Sequence, residues 1–248
     1  MTDTVAIVLA AGKGTRMGSD RAKVLHELGG RPLVTFPIAA ALAAGADTIV
    51  VVVGHQAQAV RECVRGRFDT PAPRFATQAE QLGTGHAVQC AMAEIDATEG
   101  LAFVLSGDVP LLRAETLTRL ARACRATEAG LAFATFAPDD PTGYGRVERD
   151  DQGHVVAIVE QRDADARQRA IGECNAGTYA IDLACLRGDL PRLGRANAQG
   201  EMYLTDLVAL AAERGPVGVV QVDALQAAGV NTPQQLQALE QALADTPA

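Results

Sequence analysis

Lysine is nearly missing from this chain: of its 22 basic residues only Lys13 and Lys23 are lysines, and the two lie close together. In an arginine-rich chain their position says more than their rarity. An excess of positive charge is missing as well, because 30 acidic residues bring the formal net charge to −8. The non-specific pull toward a phosphate backbone is therefore disfavoured over the whole molecule. That argues against a nucleic-acid partner and leaves a few local cations to meet a small phosphorylated ligand. The five cysteines, Cys63, Cys90, Cys124, Cys174 and Cys185, form no CxxC pair and have no histidine-rich neighbourhood, so neither a zinc site nor a disulfide framework is expected and a reducing cytoplasm fits best. No apolar run approaches the ~18 residues of a membrane span, and acidic Asp3 leads into an apolar strand with no basic leader or cleavage site. The expectation is a soluble, unexported protein without a membrane partner.

What is present suits a globular α/β protein. The 248 residues are 48% hydrophobic and 21% charged, enough to bury a core. Val5 to Ala10 is a short continuous apolar run, and similar runs recur at Thr48 to Val53, Leu101 to Leu105 and Leu131 to Phe136, which predicts four buried strands. Between and after them, helical spacing appears at Leu33 to Ala44, Gln56 to Arg65, Gly85 to Glu94 and Glu115 to Thr127. Strand then helix, repeated, predicts a mainly parallel sheet covered on both faces. After Pro138 the rhythm changes. Arg146 to Arg149 and His154 to Glu160 read as a hairpin, followed by a helix at Asp163 to Ala170 and a strand at Cys174 to Ile181. A helix at Tyr203 to Glu213, a strand at Val217 to Val222 and a closing helix at Pro233 to Ala244 complete the map. With no linker, repeat or low-complexity segment, the chain reads as one domain with an elaboration in its second half.

The turn after the first strand, Leu9 to Met17 (LAAGKGTRM), has small residues that let backbone N–H groups approach a phosphate, with Arg16 and Lys23 adding charge. It is neither GxxxxGK[ST], because the glycines and lysines have the wrong spacing, nor GxGxxG, because Met17 stands where the third glycine belongs. On its own the stretch is equally a plain strand-to-helix turn.

These residues, with Lys23 to His26 (KVLH), resemble the signature of the sugar-nucleotide pyrophosphorylases, in particular the uridylyltransferase domain of the bifunctional N-acetylglucosamine-1-phosphate uridylyltransferase/acetyltransferases. Further blocks keep that family's order: QAEQLGTGHA (Gln78 to Ala87), GDVPLL (Gly107 to Leu112), DDPTGYGR (Asp139 to Arg146), IVEQRDA (Ile158 to Ala164), ECNAGTYA (Glu173 to Ala180), NAQGEMYLTD (Asn197 to Asp206) and GVN (Gly229 to Asn231). The resemblance implies a Rossmann-like α/β fold, a mainly parallel sheet between helices with a β-hairpin for the sugar. It also implies a nucleotidyltransferase domain over residues 1–231 and a C-terminal helix over 232–248 that begins the family's linker. The implied reaction joins UTP and N-acetylglucosamine 1-phosphate into UDP-N-acetylglucosamine and pyrophosphate.

Residue by residue, the resemblance makes Asp108 and Asn231 the protein ligands of magnesium (Mg2+), and Arg16 and Lys23 the catalytic cations on the triphosphate and sugar phosphate. Leu9, Ala10, Ala11, Gly12, Gly14, Gln78, Gly83 and Thr84 become nucleotide contacts, with Gln78 and the Gly83–Thr84 pair on the uracil. Gly145, Glu160, Asn175, Tyr203 and Thr205 become sugar contacts. Physically, two anions must be neutralised before in-line attack on the α-phosphorus, so cations and a divalent metal belong in such a site. Taken singly, Asp108 is equally a turn or cap carboxylate, Gln78 and Glu160 surface polar groups, and Tyr203 a packed aromatic. His86, after Gly85 at a helix start, reads as structural rather than as a general base, since the attacking phosphate oxygen is already ionised.

The chain departs from the family's usual residues at Ala22 (proline), Ser106 (tyrosine), Ala176 (threonine) and Met202 (an aromatic). These touch sugar choice more than chemistry. The acetyltransferase half is missing from these 248 residues, so acetyl transfer is not expected. The same chemistry with another sugar 1-phosphate or nucleotide, and a non-catalytic sugar-nucleotide sensor, remain the alternatives. The sequence leaves open whether the protein is a homo-oligomer.

Overall fold

Strands buried on both faces need apolar residues at successive positions, and the four expected runs meet that demand. The computed structural model of the chain describes residues 3–244. Apart from a two-residue ribbon pairing Glu27–Leu28 with Arg31–Pro32, its strands are β1 (Thr4–Ala10), β2 (Thr48–Val53), β3 (Arg74–Thr77), β4 (Leu101–Ser106), β5 (Leu131–Phe136), β6 (Arg146–Arg149), β7 (Val155–Val159), β8 (Cys174–Asp182) and β9 (Gly218–Gln221). One sheet runs β9-β5-β8-β4-β1-β2-β3, with the β6–β7 hairpin attached where Arg146 pairs with Cys174 of β8. Neighbours are parallel except at β8, which is antiparallel to both β4 and β5. This mainly parallel, mixed sheet corrects the simplest strand-helix reading at one strand. The chain leaves the sheet at the end of β5, makes the hairpin, and re-enters with Cys174 opposite Phe136, so β8 has to run back.

Side chains of a strand alternate between faces, and the packing follows that alternation. Ala6, Val8, Ala10, Ile49, Val51, Val53 and Phe103 lie on one face against α1 (Thr35–Ala43), α2 (Ala57–Arg65) and α4 (Ala114–Arg125), through Ile38, Val60, Leu117 and Leu120. Val5, Ile7, Val50, Val52, Ala102 and Val104 lie on the other, against α3 (Thr84–Met92), α5 (Leu183–Asp189) and α6 (Asp206–Ala212), through Val88, Leu186 and Leu207. A third, smaller core joins Met17 from the loop after β1, Leu28, Leu33, Val230, and Leu239 of α7 (Pro233–Ala244). The last four residues of the expected 232–248 segment lie outside the described residues.

Other elements differ from expectation in extent. The helix read at Asp163 to Ala170 is a single turn, Ala166–Arg169, started by Asp165, whose carboxylate accepts from the Gln168 N–H while Gln168 reaches back to the Asp165 N–H. The helix read from Tyr203 begins only at Asp206. β3 and α5 were not expected; β3 has four residues, two of them exposed, and follows a proline-rich stretch that masks its period. No described helix is long and apolar enough to cross a membrane.

The third core ties the loop after β1 to residues more than 200 positions later. Met17 is 3% exposed, so Met17→Ala is expected to cost about 2–5 kcal/mol of stability. A urea titration reads this as a lower midpoint at unchanged slope. A wild-type midpoint would show that the cluster does not hold the loop.

Candidate active site

From β1 the chain passes to β2 on one side, while β4 flanks β1 on the other. In an open α/β sheet the crevice for ligands opens at such a point, beyond the carboxyl ends of the strands. Two segments meet there, Leu9 to Gly12 after β1 and Ser106 to Asp108 after β4. The Gly107 N–H donates to Leu9 O at 2.9 Å. From Gly12 the chain turns through Gly14, at φ 64°, into the short 3-10 turn Thr15–Met17, and a Cβ at Gly14 would overlap the Cβ of Lys23. Glycine at position 14 therefore lets the loop lie against the lysine.

Lys23 ends in a tight cluster. Its ammonium pairs with Asp108 Oδ2 and donates to Asn231 Oδ1 at 2.9 Å, while Arg16 donates to the same Oδ1 at 3.0 Å. Asn231 is held in place: the Val230 N–H donates to Asp108 O at 2.9 Å, and Gln235 Oε1 accepts from the N–H groups of Asn231 and Thr232 at 2.8 and 3.1 Å. A carboxylate and an amide oxygen thus already share one cationic neighbour. That donor set fits magnesium, which takes one or two protein oxygens and completes its shell with water and phosphate. It lacks the three or four nitrogen, sulfur or carboxylate ligands that zinc takes, and among the described residues no group of three or more His, Cys, Asp and Glu could hold a metal.

A cleft of about 360 Å³ opens on one side of this cluster. Leu9, Ala10, Ala11, Gly12, Lys23, Gln78, Gly83, Thr84, Ser106 and Asp108 line it; of the expected nucleotide contacts only Gly14 does not. Gln78 follows directly from the unexpected strand β3. Gly83 has φ 109°, and a Cβ there would run into the Met202 carbonyl, so only glycine fits. Four lining residues, the apolar Val24 and Ala87 and the polar Gln81 and Glu201, had no expected role. Gln81 ties this loop to the first one, donating to Ala11 O at 2.8 Å, and Glu201 lines the cleft with it. Gln81 lies inside the QAEQLGTGHA block, but nothing in its spacing marks it. Ala22 donates its N–H to Gln56 Oε1 at 2.8 Å, a bond the family's usual proline could not make.

A second cleft, of about 440 Å³, adjoins the first and shares Ser106 and Asp108 with it. Arg16, Asn231, Gly145, Glu160 and Asn175 line it, together with Tyr144, Asp140 and Ala176. Asn175 stands where β8 slips register against β5 between Asn175 and Tyr179, an irregularity of the kind that re-aims side chains beside sites. Its amide is fixed at both ends, donating to Tyr179 Oη at 2.6 Å and accepting from the Gly177 N–H at 2.9 Å. Glu160 accepts from Thr205 Oγ1 at 3.0 Å. Burial pushes the Glu160 carboxyl above the ordinary range, with Asp206, Asp163 and Glu201 adding to the rise and the Thr205 bond opposing it. Thr205 and Tyr203 are not among the residues lining either cleft: Thr205 is buried behind Glu160, and the Tyr203 hydroxyl donates to Asp163 Oδ2 at 3.0 Å.

The chain resembles several proteins named bifunctional protein GlmU. That of Anaeromyxobacter sp. strain Fw109-5 is 52% identical over 235 residues, 95% of this chain and 48% of the relative. That of Anaeromyxobacter dehalogenans strain 2CP-1 is 50% identical over 230 residues, 93% of this chain and 47% of the relative. That of Sorangium cellulosum strain So ce56 is 48% identical over 246 residues, 98% of this chain and 52% of the relative. The chain spans about half the length of the curated relatives it matches. Residues 6–199, from β1 and its loop to the threshold of α6 and including most of the lining of both clefts but not Asn231, match the MobA-like NTP transferase domain, and the chain belongs to that family.

Proposed function

We propose that the chain transfers a uridylyl group from UTP to N-acetylglucosamine 1-phosphate, releasing pyrophosphate and forming UDP-N-acetylglucosamine, with magnesium as cofactor. The observation that carries this reading is the junction: two adjoining clefts share Asp108, and Lys23, Arg16 and Asn231 converge on the shared edge. A two-substrate transfer between phosphates needs that layout, because both anions must be brought together and neutralised at one place. The compartment proposed is the cytoplasm, in keeping with five free cysteines.

In this reading the first cleft takes UTP. Backbone at Leu9, Ala10, Ala11 and Gly12 cradles it, Gly14 lets the loop lie against Lys23, and Gln78 with Gly83 and Thr84 meets the uracil. The second cleft takes the sugar phosphate, with Gly145, Glu160 and Asn175 on the sugar. Thr205 holds Glu160 in place, and Tyr203 braces the wall behind through Asp163. Arg16 and Lys23 grip phosphate oxygens and stabilise negative charge as it shifts to the departing pyrophosphate. Asp108 and Asn231 would hold magnesium, which when bound supplies further charge neutralisation on the phosphates. The sugar phosphate oxygen attacks as an anion, so no side chain has to remove a proton and no covalent enzyme intermediate forms. Small side chains at Ser106 and Ala176 leave room at the sugar end of the junction, and the acceptor is therefore the part of the reading most in need of a direct test.

That test is magnesium-dependent pyrophosphate release from UTP, compared across the 1-phosphates of N-acetylglucosamine, glucose, galactose and glucosamine. Release with the N-acetyl sugar alone is expected. Release only with a different sugar would change the acceptor, and no release with any would leave a binding protein instead of an enzyme. Lys23→Ala is expected to lower turnover by ~10²–10³-fold, with both substrates still bound. Glu160 gives a third expectation, with its sign set by the raised carboxyl. An acid whose pKa rises on folding favours the folded state at low pH and loses that contribution as pH climbs through the raised value. At neutral pH the buried charge is therefore a burden. Glu160→Gln should raise the melting temperature at pH 7 while raising the apparent KM for the sugar phosphate. A lower melting temperature would contradict the electrostatics, and an unchanged KM would remove Glu160 from the sugar site.

A further inference from the structure

The Gln78 amide is tied down more completely than a base contact requires. Gln78 is 5% exposed, its N–H donates to Val53 O at 2.8 Å, and its Nε2 lies 2.9 Å from Gly83 O and 3.2 Å from His86 Nδ1. A backbone carbonyl can only accept, so the amide nitrogen and not the oxygen must face Gly83. The second amide hydrogen then points at His86 Nδ1, which has to be the bare, accepting ring nitrogen. The ring proton of neutral His86 consequently sits on Nε2, 3.6 Å from the Sγ of Cys90 one helical turn further along α3. Both amide hydrogens are used inside the protein. The Oε1 atom has no hydrogen-bond partner among the described residues, it is not one of the sealed, unpartnered side-chain atoms, and Gln78 lines the first cleft.

We propose that His86 is a positioning residue that fixes the Gln78 amide with only its oxygen offered to the nucleotide cleft, so that the site selects a base presenting an N–H donor at that point. The uracil imide presents one, and the inference rests on the reading that Gln78 meets the base. A single acceptor, Gly83 O, secures one amide hydrogen and leaves the group free to rock. The second acceptor removes that freedom. Both ride on one rigid element, because Gly83 O also accepts the Ala87 N–H at 3.1 Å as the first bond of α3. A base with an acceptor at that point, such as N3 of cytosine, would set lone pair against lone pair, a mismatch that costs more than a missing contact because the amide cannot turn to relieve it.

Calorimetric titration of UTP and CTP, with magnesium, into the wild-type chain and the His86→Leu, His86→Asn and Gln78→Ala variants tests this. His86→Leu should weaken UTP binding by up to about tenfold, the scale of one net hydrogen bond, and shrink the UTP-over-CTP preference by a similar factor. His86→Asn, whose Oδ1 can accept from Gln78 Nε2, should recover most of both. Wild-type affinity and preference in His86→Leu, or equal losses in the Leu and Asn variants, would overturn the proposal and leave His86 as packing. If Gln78→Ala also binds UTP as the wild type does, the base-reading role of Gln78 fails instead, which separates the two conclusions. Thermal melts accompany each variant, and His86→Ala takes the place of the leucine variant if that one melts below the assay temperature.

Discussion

One ammonium group lying on two oxygens is the contact around which this molecule is arranged. Lys23 reaches Asp108, 85 residues away, and Asn231, 208 residues away, and Arg16 reaches the same asparagine. The Lys23 and Asp108 side chains keep only 17% and 14% of their exposure, so each would be a partly desolvated, unpaired charge without the other. Such a pair adds little net stability. Its value is positional, because it holds two cations and two hard oxygens at the line where the clefts meet.

The rest of the fold keeps that line open and its groups in place. The reversal of strand order at β1 creates the crevice, and the third core of Met17, Leu28, Leu33, Val230 and Leu239 brings the loop carrying Arg16 beside the segment carrying Asn231. The antiparallel return of β8, with its register slip, turns Asn175 toward the second cleft, and the hairpin supplies Glu160 at its far end. Glu160 shows what this arrangement costs. Its carboxyl is buried against acidic neighbours with one hydroxyl in support, an arrangement that opposes folding at neutral pH and that the hydroxyl groups of the proposed sugar would relieve.

The two clefts differ in how they are controlled. In the first, glycines that admit no side chain and amides whose hydrogens are committed leave little freedom: Gly83 is pressed to the Met202 carbonyl, Gln81 is bonded to Ala11, and Gln78 is held from two sides. In the second, the walls come from a hairpin and a slipped strand, with small residues at Ser106 and Ala176. In the proposed reading, selectivity for the nucleotide is therefore a matter of fixed donors and acceptors, and selectivity for the acceptor is a matter of space.

Continuous apolar runs and ordered glycine-rich blocks were enough to read β1, β2, β4, β5, four helices and the hairpin, since strands buried on both faces and amphipathic helices leave a periodic record in the chain. The blocks also marked nearly every residue that lines the clefts, because glycines beside a backbone and charges beside a phosphate are constraints on residue type. Other features left no such record. β3 is too short and too exposed to show a period, yet it sets the place of Gln78. The direction of β8 depended on where the hairpin returned the chain, and Tyr203 and Thr205, though read as sugar contacts, turned to Asp163 and Glu160 instead of either cleft. The meeting of Lys23 with Asn231, and of Gln78 with His86, follows from packing and hydrogen-bond geometry between segments whose order along the chain carries no distance information.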